Sequence, residues 1–545
     1  MTEDRYDYII VGAGSAGCPL AHRLTENPEV RVLLLEAGPP DNSIKLKVPA
    51  AFIYNYTSPK HNWMYYTEPE PHLDHKPMFC PRGKVMGGSS SINGMAWVRG
   101  HAFDFDNWAE QGLPSWSYAH CLPYFKRMES WSGGENEYRG KQGPLNITTP
   151  KYENPLYQVF LDACEQAGFP LSADTNGFQQ EGFGAMDQSI HQGIRSSASS
   201  AYINPILDRP NLQVMTNVHV TRVLFKGDKA CGVETVIDEQ YQDFQANEEV
   251  ILSAGAINSP QILMLSGIGE AQTLRKLGIT VKADIPGVGR NLQDHWDVSL
   301  QQECLLPLSV NSQMTHFGMA KNALHWLLTR SGPAATNQSE IAGYIRTVSA
   351  EVPDLQICFM PVAFDYEKME PISKHGFRLF GMPLRPTSRG QVRLQSSDPF
   401  AAPAITCNYL STSKDRQDFL DLINISREIV AQRAFNTVRG RELEPGSGKA
   451  TEPELLDFVR HYGKATHHLC GSCRMGTGDD AVVDEQLRVY GVQGLRVIDA
   501  SIMPQITSGN TNAPAFMIGE KGADLLAGRT SLEATPVPVY KPVAS

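Results

Sequence analysis

The chain has 545 residues, 41% of them hydrophobic and 20% charged, and its formal net charge is −11. That length suits two or three domains around a large core, and the composition is that of an ordinary soluble globular protein. No basic stripe occurs, which argues against nucleic acid as a partner, and no apolar run approaches the length of a membrane span.

Residues Met1 to Arg5 lead almost at once into a strand pattern, so no signal peptide is expected. The ten cysteines are scattered through apolar or mixed segments, as at Cys164 and Cys358, and fit free thiols in a reducing compartment. A cytoplasmic protein is expected, and peripheral membrane contact is compatible with it. The sequence carries no signal for an oligomeric state.

Tyr8 to Val11 form an apolar run that stops at Gly12-Ala13-Gly14-Ser15-Ala16-Gly17. A helix-compatible stretch follows, then a second apolar run, Val32 to Leu35, ending on Glu36. Strand, G-x-G-x-x-G, helix, strand and acidic residue make a complete dinucleotide-binding unit. Gly12 permits the tight turn, Gly14 lets the backbone approach a pyrophosphate, and Gly17 lets the helix pack on its strand. The helix N-terminus offers free N–H groups to phosphate. Glu36 stands about twenty residues on, where a carboxylate accepts bonds from ribose hydroxyls.

Further along, Pro39-Pro40 marks a turn, and Asp104 to Trp131 reads as a helical excursion with an aromatic face. Residues 140–195 are rich in Gly, Pro, Asn and Asp, with one helix near Pro155 to Gly168. Strand patterns return at Leu212 to Thr216 and Val220 to Phe225. Glu249 to Ser253 is a strand running into the small-residue turn Ala254-Gly255. From 297 to 465, strand-like pieces such as Leu355 to Met360 and Gly390 to Leu394 alternate with the helical Arg416 to Ala431. No regular crossovers separate them, which predicts an antiparallel sheet. Leu495 to Asp499 is a short strand and Ala515 to Ala527 a helix. The tail holds Thr535-Pro536-Val537-Pro538-Val539 and is expected to be loosely held.

The predicted architecture is therefore α/β, or α+β overall. A Rossmann-like nucleotide domain is assembled from 1–150, 195–296 and 475–530. A substrate domain of 151–194 and 297–474, an antiparallel sheet flanked by helices, is inserted into it. Residues 531–545 form the tail.

Four further segments stand out: Gly83 to Trp97, with Gly87-Gly88-Ser89-Ser90-Ser91-Ile92-Asn93; Gly255 to Gly269; Gly287 to His295; and Val497 to Pro504. Gly87-Gly88 followed by hydroxyl residues leaves backbone N–H groups to line a phosphate or flavin edge, and Asn93 is placed to bond the pyrophosphate or the ring. Together these segments resemble the glucose–methanol–choline flavin oxidoreductase family, in particular its choline dehydrogenase and medium-chain alkanol dehydrogenase branches. The resemblance runs from Tyr6 to about Leu526. It implies FAD as cofactor, and a cofactor grip that adds Ser15, Ala37, Arg82, Gly94, Val220, Ala254, Asp499, Ala500, Asn512 and Pro514. Choline oxidases of the family tether the flavin through a histidine where this chain has Ile92, so noncovalent FAD is expected.

The family's catalytic pair falls, by the same resemblance, on His468 and Asn510. A neutral imidazole takes the proton of an alcohol hydroxyl while hydride passes to flavin N5, and an amide donor holds the oxygen. The segment His467-His468-Leu469-Cys470-Gly471-Ser472-Cys473 also offers two histidines and a C-x-x-C, so zinc and dithiol readings compete with packing; the expectation is no metal. Relatives carry an aromatic residue at 467 and Pro at 469, and His467 reads either as a cavity residue or as a hydrogen-bonded core histidine.

The expected substrate is a primary alcohol of moderate size with an apolar or aromatic tail, oxidised to an aldehyde. Choline is the alternative, because Asp297 stands where choline oxidases place the acid that meets the trimethylammonium group. Trp63 is either a cation–π partner or an apolar wall. The electron acceptor is O2 or a quinone or other carrier. A lyase reading, hydroxynitrile lyase or photodecarboxylase, is the alternative of another class; the presence of both His468 and Asn510 argues against decarboxylation.

Overall fold

The computed structural model describes residues 5–365 and 370–541. Two seven-stranded sheets organise the chain. In the first, Leu212–Thr216, Val32–Glu36, Arg5–Val11 and Gln240–Leu252 lie side by side in parallel, and Leu495–Val497 pairs in parallel with the last of them. Val32 to Leu35 are all buried, as expected of a parallel strand covered on both faces. Gln240–Leu252 is long enough to play two parts. Its C-terminal half joins the parallel core, and its N-terminal half forms an antiparallel layer with Lys229–Ile237 and His219–Lys226.

Helices Gly17–Leu24 and Asn512–Leu526 pack on each other beside this sheet, although nearly the whole chain separates them. The second helix begins three residues earlier than its apolar pattern suggests, so Asn512 and Pro514 lie in its first turn.

The second sheet runs Arg439–Glu444, Trp296–Cys304, Gly376–Pro383, Leu355–Met360, Ile341–Ile345, Gly182–Ala185, antiparallel throughout. Ser413–Ala431 covers one face, where Ile357, Leu379 and Leu300 are buried. The alternate residues point the other way, toward the cavity described below. Among the described residues, the Gln391–Arg393 strand stands apart and pairs only with Ala404–Thr406. We propose the division into a nucleotide domain (1–150, 195–296, 475–530) and a substrate domain (151–194, 297–474) on the grouping of these strands.

The tail departs from expectation. Residues up to Lys541 have no regular structure, yet they are pinned to the body. Thr535 N donates to Ala119 O at 2.8 Å, Tyr138 Oη to Pro538 O at 2.7 Å, and Tyr540 N to Phe178 O at 3.0 Å. Leu532, Val537 and Val539 pack on the core. Composition pointed to a loose segment; three apolar side chains and paired backbone groups hold it. Residues 542–545 of the tail lie outside the described residues.

Candidate active site

One cavity of about 540 Å³ runs from Glu36 at the end of the second strand to His468 and Asn510. Its floor is where two glycine segments meet. A Cβ on Gly88, which has φ +54°, would lie 2.7 Å from Gly14 Cα, so only a bare backbone lets the two loops approach this closely. Of the expected cofactor residues, Gly12, Gly14, Ser15, Glu36, Ala37, Arg82, Gly88, Asn93, Gly94, Val220, Ala254, Asp499, Ala500 and Asn512 line the cavity. Gly17, Gly87 and Pro514 do not; the two glycines shape its floor through the backbone, and Pro514 lies in the first turn of the C-terminal helix. A Cβ on Gly17 would strike Gly12 O at 1.9 Å, and Gly87 N donates to Ala13 O at 2.8 Å.

Glu36 is buried, and its carboxylate accepts from Ala13 N at 3.1 Å and Gly38 N at 2.8 Å. Burial pushes its pKa up to about 7 against those bonds, so further hydroxyl donors would stabilise the charge. Ser15 Oγ donates to Asn512 Oδ1 at 2.8 Å, which leaves the buried Asn512 Nδ2 facing the cavity region with no acceptor. Asn93 Oδ1 accepts from Arg195 Nη1 at 2.8 Å and from Met95 N at 3.0 Å. An acid at one end, bare glycine backbone in the middle and an orphaned amide donor fit a dinucleotide lying along this cavity.

The His468 end of the cavity is a buried polar network. His468 Nε2 lies 2.8 Å from Asn510 Nδ2, and its Nδ1 lies 3.0 Å from both His295 Nδ1 and Thr466 Oγ1. The chain of donors fixes every proton. His295 Nε2 is 3.1 Å from Leu384 O, a carbonyl that only accepts, so His295 carries its proton on Nε2 and its Nδ1 accepts. Thr466 Oγ1 donates to His295 O at 2.9 Å, so it also accepts from His468. His468 therefore carries its proton on Nδ1, and its Nε2 lone pair points to Asn510 and the cavity. Burial lowers the His468 pKa well below the ordinary histidine value, and the neighbouring His295, His467 and Arg82 lower it further.

Asp294 positions this pair from behind. Its carboxylate accepts from His468 N at 2.6 Å, His295 N at 2.9 Å and Tyr409 Oη at 2.6 Å, and burial raises its pKa to about 6. Asn510 sits on the loop before the C-terminal helix. Gly509 (φ +134°) has no room for a side chain, since a Cβ would lie 2.5 Å from Val98 Cγ1. Asp104 fastens the same loop by accepting from Ser508 N at 2.7 Å and Ser508 Oγ at 2.8 Å.

His467 lines the cavity and is not a core histidine. Its backbone has φ +67° and its carbonyl accepts from Arg82, while burial lowers its ring pKa to about 3. Trp63 also lines the cavity, but Tyr65 stacks on it at 5.7 Å and Lys84 Nζ lies 4.5 Å from its ring. With those partners in place, the structure does not support a cation–π role toward substrate. Asp297 reaches the cavity from the second sheet and faces Lys464 across the strand pair. Among the described residues no group of three or more His, Cys, Asp or Glu is disposed to hold a metal. Cys470 and Cys473 are buried, and burial raises both thiol pKa values, the reverse of what a redox dithiol needs.

Sequence reasoning missed His295 and Thr466 as functional neighbours, and Arg378 and Lys464 as cavity residues. Only the Asp294-His295 motif pointed to this region, without a role.

GMC oxidoreductase family profiles match residues 6–297 and 386–519. The chain belongs to this family. It is 47% identical to the mitochondrial choline dehydrogenase of Mus musculus over 99% of this chain and 92% of that one. It is 45% identical to the oxygen-dependent choline dehydrogenase of Brucella anthropi over 96% of each. Among solved structures, pyridoxine 4-oxidase from Mesorbium loti superposes with a TM-score of 0.88 at 31% identity, over 96% of this chain and 100% of that one. A variant of Aspergillus oryzae formate oxidase, solved to follow its FAD modification, gives 0.91 at 26% identity, over 97% of this chain and 99% of that one. The protein is an FAD-dependent oxidoreductase that oxidises a primary alcohol at its CH–OH group and passes electrons to an acceptor.

Proposed function

We propose that His468 is the base of this oxidation and that Asn510 holds the substrate oxygen. The observation that carries the reading is the relay from Leu384 O through His295 to His468, which leaves one unprotonated ring nitrogen at the cavity. Nε2 takes the hydroxyl proton. The Asn510 N–H that donates to Nε2 in this structure passes to the substrate oxygen when the alcohol enters, which frees the Nε2 lone pair and supports negative charge as it develops on that oxygen. FAD, when bound, supplies the acceptor for the hydride of the same carbon. Glu36 would hold the ribose, and Gly12, Gly14 and Gly88 would admit the pyrophosphate. Ile92 is buried on the cavity wall and has no group to bond the flavin, which supports noncovalent binding.

Anaerobic mixing with a panel of primary alcohols, followed by air, tests the reading. Bleaching of the flavin by alcohol identifies the reaction, and recovery on admitting air identifies O2 as acceptor. Denaturation should release all flavin into the supernatant; colour retained on the precipitated chain would refute noncovalent binding.

The acceptor we favour is a membrane-borne carrier such as a quinone, on the strength of one surface. No helix among the described residues is long and apolar enough to cross a membrane. Helix His316–Thr329, however, exposes Phe317, Leu324, Leu327 and Leu328, next to exposed Ile53 and Tyr54. Segments 43–60 and 316–330 carry five Lys or Arg and no acid in a chain of net charge −11. An apolar and basic face of this kind suits peripheral contact with an anionic bilayer. The ten free cysteines support a cytoplasmic location for it.

A further inference from the structure

The buried arginines differ in what meets their charge. Among the described residues, Arg99, Arg139, Arg195 and Arg496 are buried. Arg99 and Arg139 bond the Glu129 carboxylate, and Arg496 bonds Glu249 at 2.7 Å. Arg195 bonds neutral oxygens alone. Its Nε donates to Leu46 O at 3.0 Å, and its Nη1 to Ser90 O at 3.1 Å and Asn93 Oδ1 at 2.8 Å. Its buried Nη2 has no acceptor. Burial pulls its pKa down to about 9, which still leaves the guanidinium charged at neutral pH. Asp41 lines an outer cleft with Arg195, but it bonds Ser199 and feels the charge of Lys47, and no ion pair joins it to the arginine. A buried cation without a counter-ion is costly, so its presence points to an anion that the bare chain lacks.

The place of Arg195 indicates which anion. Ser90 and Asn93 belong to the loop laid across Gly14 at the floor of the cavity. Ala198 N donates to Ser90 Oγ at 2.8 Å, so the 195–198 segment braces that loop from behind. Asn93 lines the cavity and Arg195 does not, so one amide separates the guanidinium from it. Asn93 Oδ1 accepts from Arg195 Nη1 and also from Met95 N at 3.0 Å. An amide whose oxygen is held by two donors turns its Nδ2 the other way, and here that way is the cavity. The diphosphate is the anionic part of oxidised FAD, and it takes donors of this kind.

We propose that Arg195 is a positioning residue of the cofactor grip. It holds the Asn93 amide with Nδ2 toward the FAD diphosphate, and that diphosphate is the counter-ion of its buried charge. This rests on Gly12, Gly14 and Gly88 as the diphosphate's floor.

Two readouts on the FAD-loaded enzyme test it: the FAD dissociation constant, from flavin fluorescence released on dilution, and the phosphorus NMR resonances of bound FAD. Arg195→Met should raise the dissociation constant about tenfold or more, the equivalent of one charge-assisted bond. Arg195→Lys keeps the charge and should lie between Arg195→Met and wild type. Asn93→Ala should also weaken FAD. The double variant Arg195→Met with Asn93→Ala should match Arg195→Met alone, because the amide acts through the arginine. The phosphorus resonances should shift in Arg195→Met and return toward wild type in Arg195→Lys. The visible spectrum, which reports the flavin ring, should stay unchanged.

Unchanged affinity and resonances in Arg195→Met would overturn the proposal. So would Arg195→Lys no better than Arg195→Met, which means bracing without charge, or losses that multiply in the double variant. Asn93→Ala leaves Arg195 its bonds to Leu46 O and Ser90 O, so it carries the test if Arg195→Met does not fold. Unchanged values there overturn the proposal equally. Gly88→Ala tests the floor itself. If it leaves FAD affinity and the phosphorus resonances unaltered, the placement of the diphosphate fails and this inference with it. If it weakens FAD and Arg195→Met does not, this inference alone fails.

Discussion

The two ends of the cavity are built on different principles. The Glu36 end is made of backbone. Its glycines, its helix start and its one acid come from a single stretch of 25 residues, Gly12 to Glu36, with the Gly83 to Asn93 loop laid across. The His468 end is made of side chains. His295, Leu384, Thr466, His468 and Asn510 come from four separate segments and meet only in the folded chain. A backbone site tolerates change in most side chains but in few glycines. A side-chain relay depends on every donor pointing the right way. The two ends should therefore fail differently.

The largest effect belongs to the relay. His468→Ala should lower flavin reduction by roughly 10²–10⁴ and leave FAD bound, because the nucleotide grip lies elsewhere. Stopped-flow reduction and the flavin-to-protein ratio measure the two parts. The pH profile supplies the sign. A base with a depressed pKa is unprotonated at neutral pH, so reduction should be flat above about pH 6.5, the ordinary histidine value, and fall only as pH drops through the lower folded value. That acid limb should vanish in His468→Ala.

His295→Ala sharpens the comparison, because His295 bonds His468, the proposed base, and does not itself line the cavity. Loss of the acceptor for Nδ1–H should slow reduction by about 10–100-fold, the usual cost of removing the partner that orients a functional histidine. His295 also lowers the His468 pKa, so the acid limb should move to higher pH in this variant. A slower rate with an unmoved limb would mean a packing effect alone.

At the backbone end, Glu36→Ala should weaken FAD retention and leave the reduction rate of flavin still bound nearly unchanged. Loss of a charge-assisted bond costs on the order of 1.5–3 kcal/mol, read as a shift in FAD dissociation constant. An unaltered affinity would remove the ribose role. The smallest effect is expected between the ends. Cys470→Ser with Cys473→Ser should leave alcohol-driven reduction close to wild type, since both thiols are buried packing groups. Abolished turnover with FAD still present would restore the dithiol reading.

Much of the architecture was legible in the chain. The strand, glycine turn, helix, strand unit at Tyr8 to Glu36 stands where its pattern placed it, and the strands from 296 to 444 pair antiparallel as their lack of crossovers implied. These features depend on neighbours in sequence: a period of apolar residues, a glycine in a turn. The tail misled for the complementary reason. Its prolines and small residues spoke for looseness, whereas Ala119, Tyr124, Tyr138 and Phe178 hold it. Trp63 was read by residue type, but Tyr65 and Lys84 had already engaged its ring.

The sequence by itself thus determined the nucleotide-binding unit, which is written in a local motif, while the flavin chemistry and the proposed pair His468 and Asn510 came from the resemblance of several separated motifs to the family. Only the tertiary structure decided which nitrogen of His468 carries the proton, since that follows from His295, 173 residues away, and from the carbonyl of Leu384. It alone placed Lys464 opposite Asp297 and set Arg378 on the same wall. Proton positions and the pairing of residues along a cavity wall are properties of contacts between distant segments, and no local pattern encodes them.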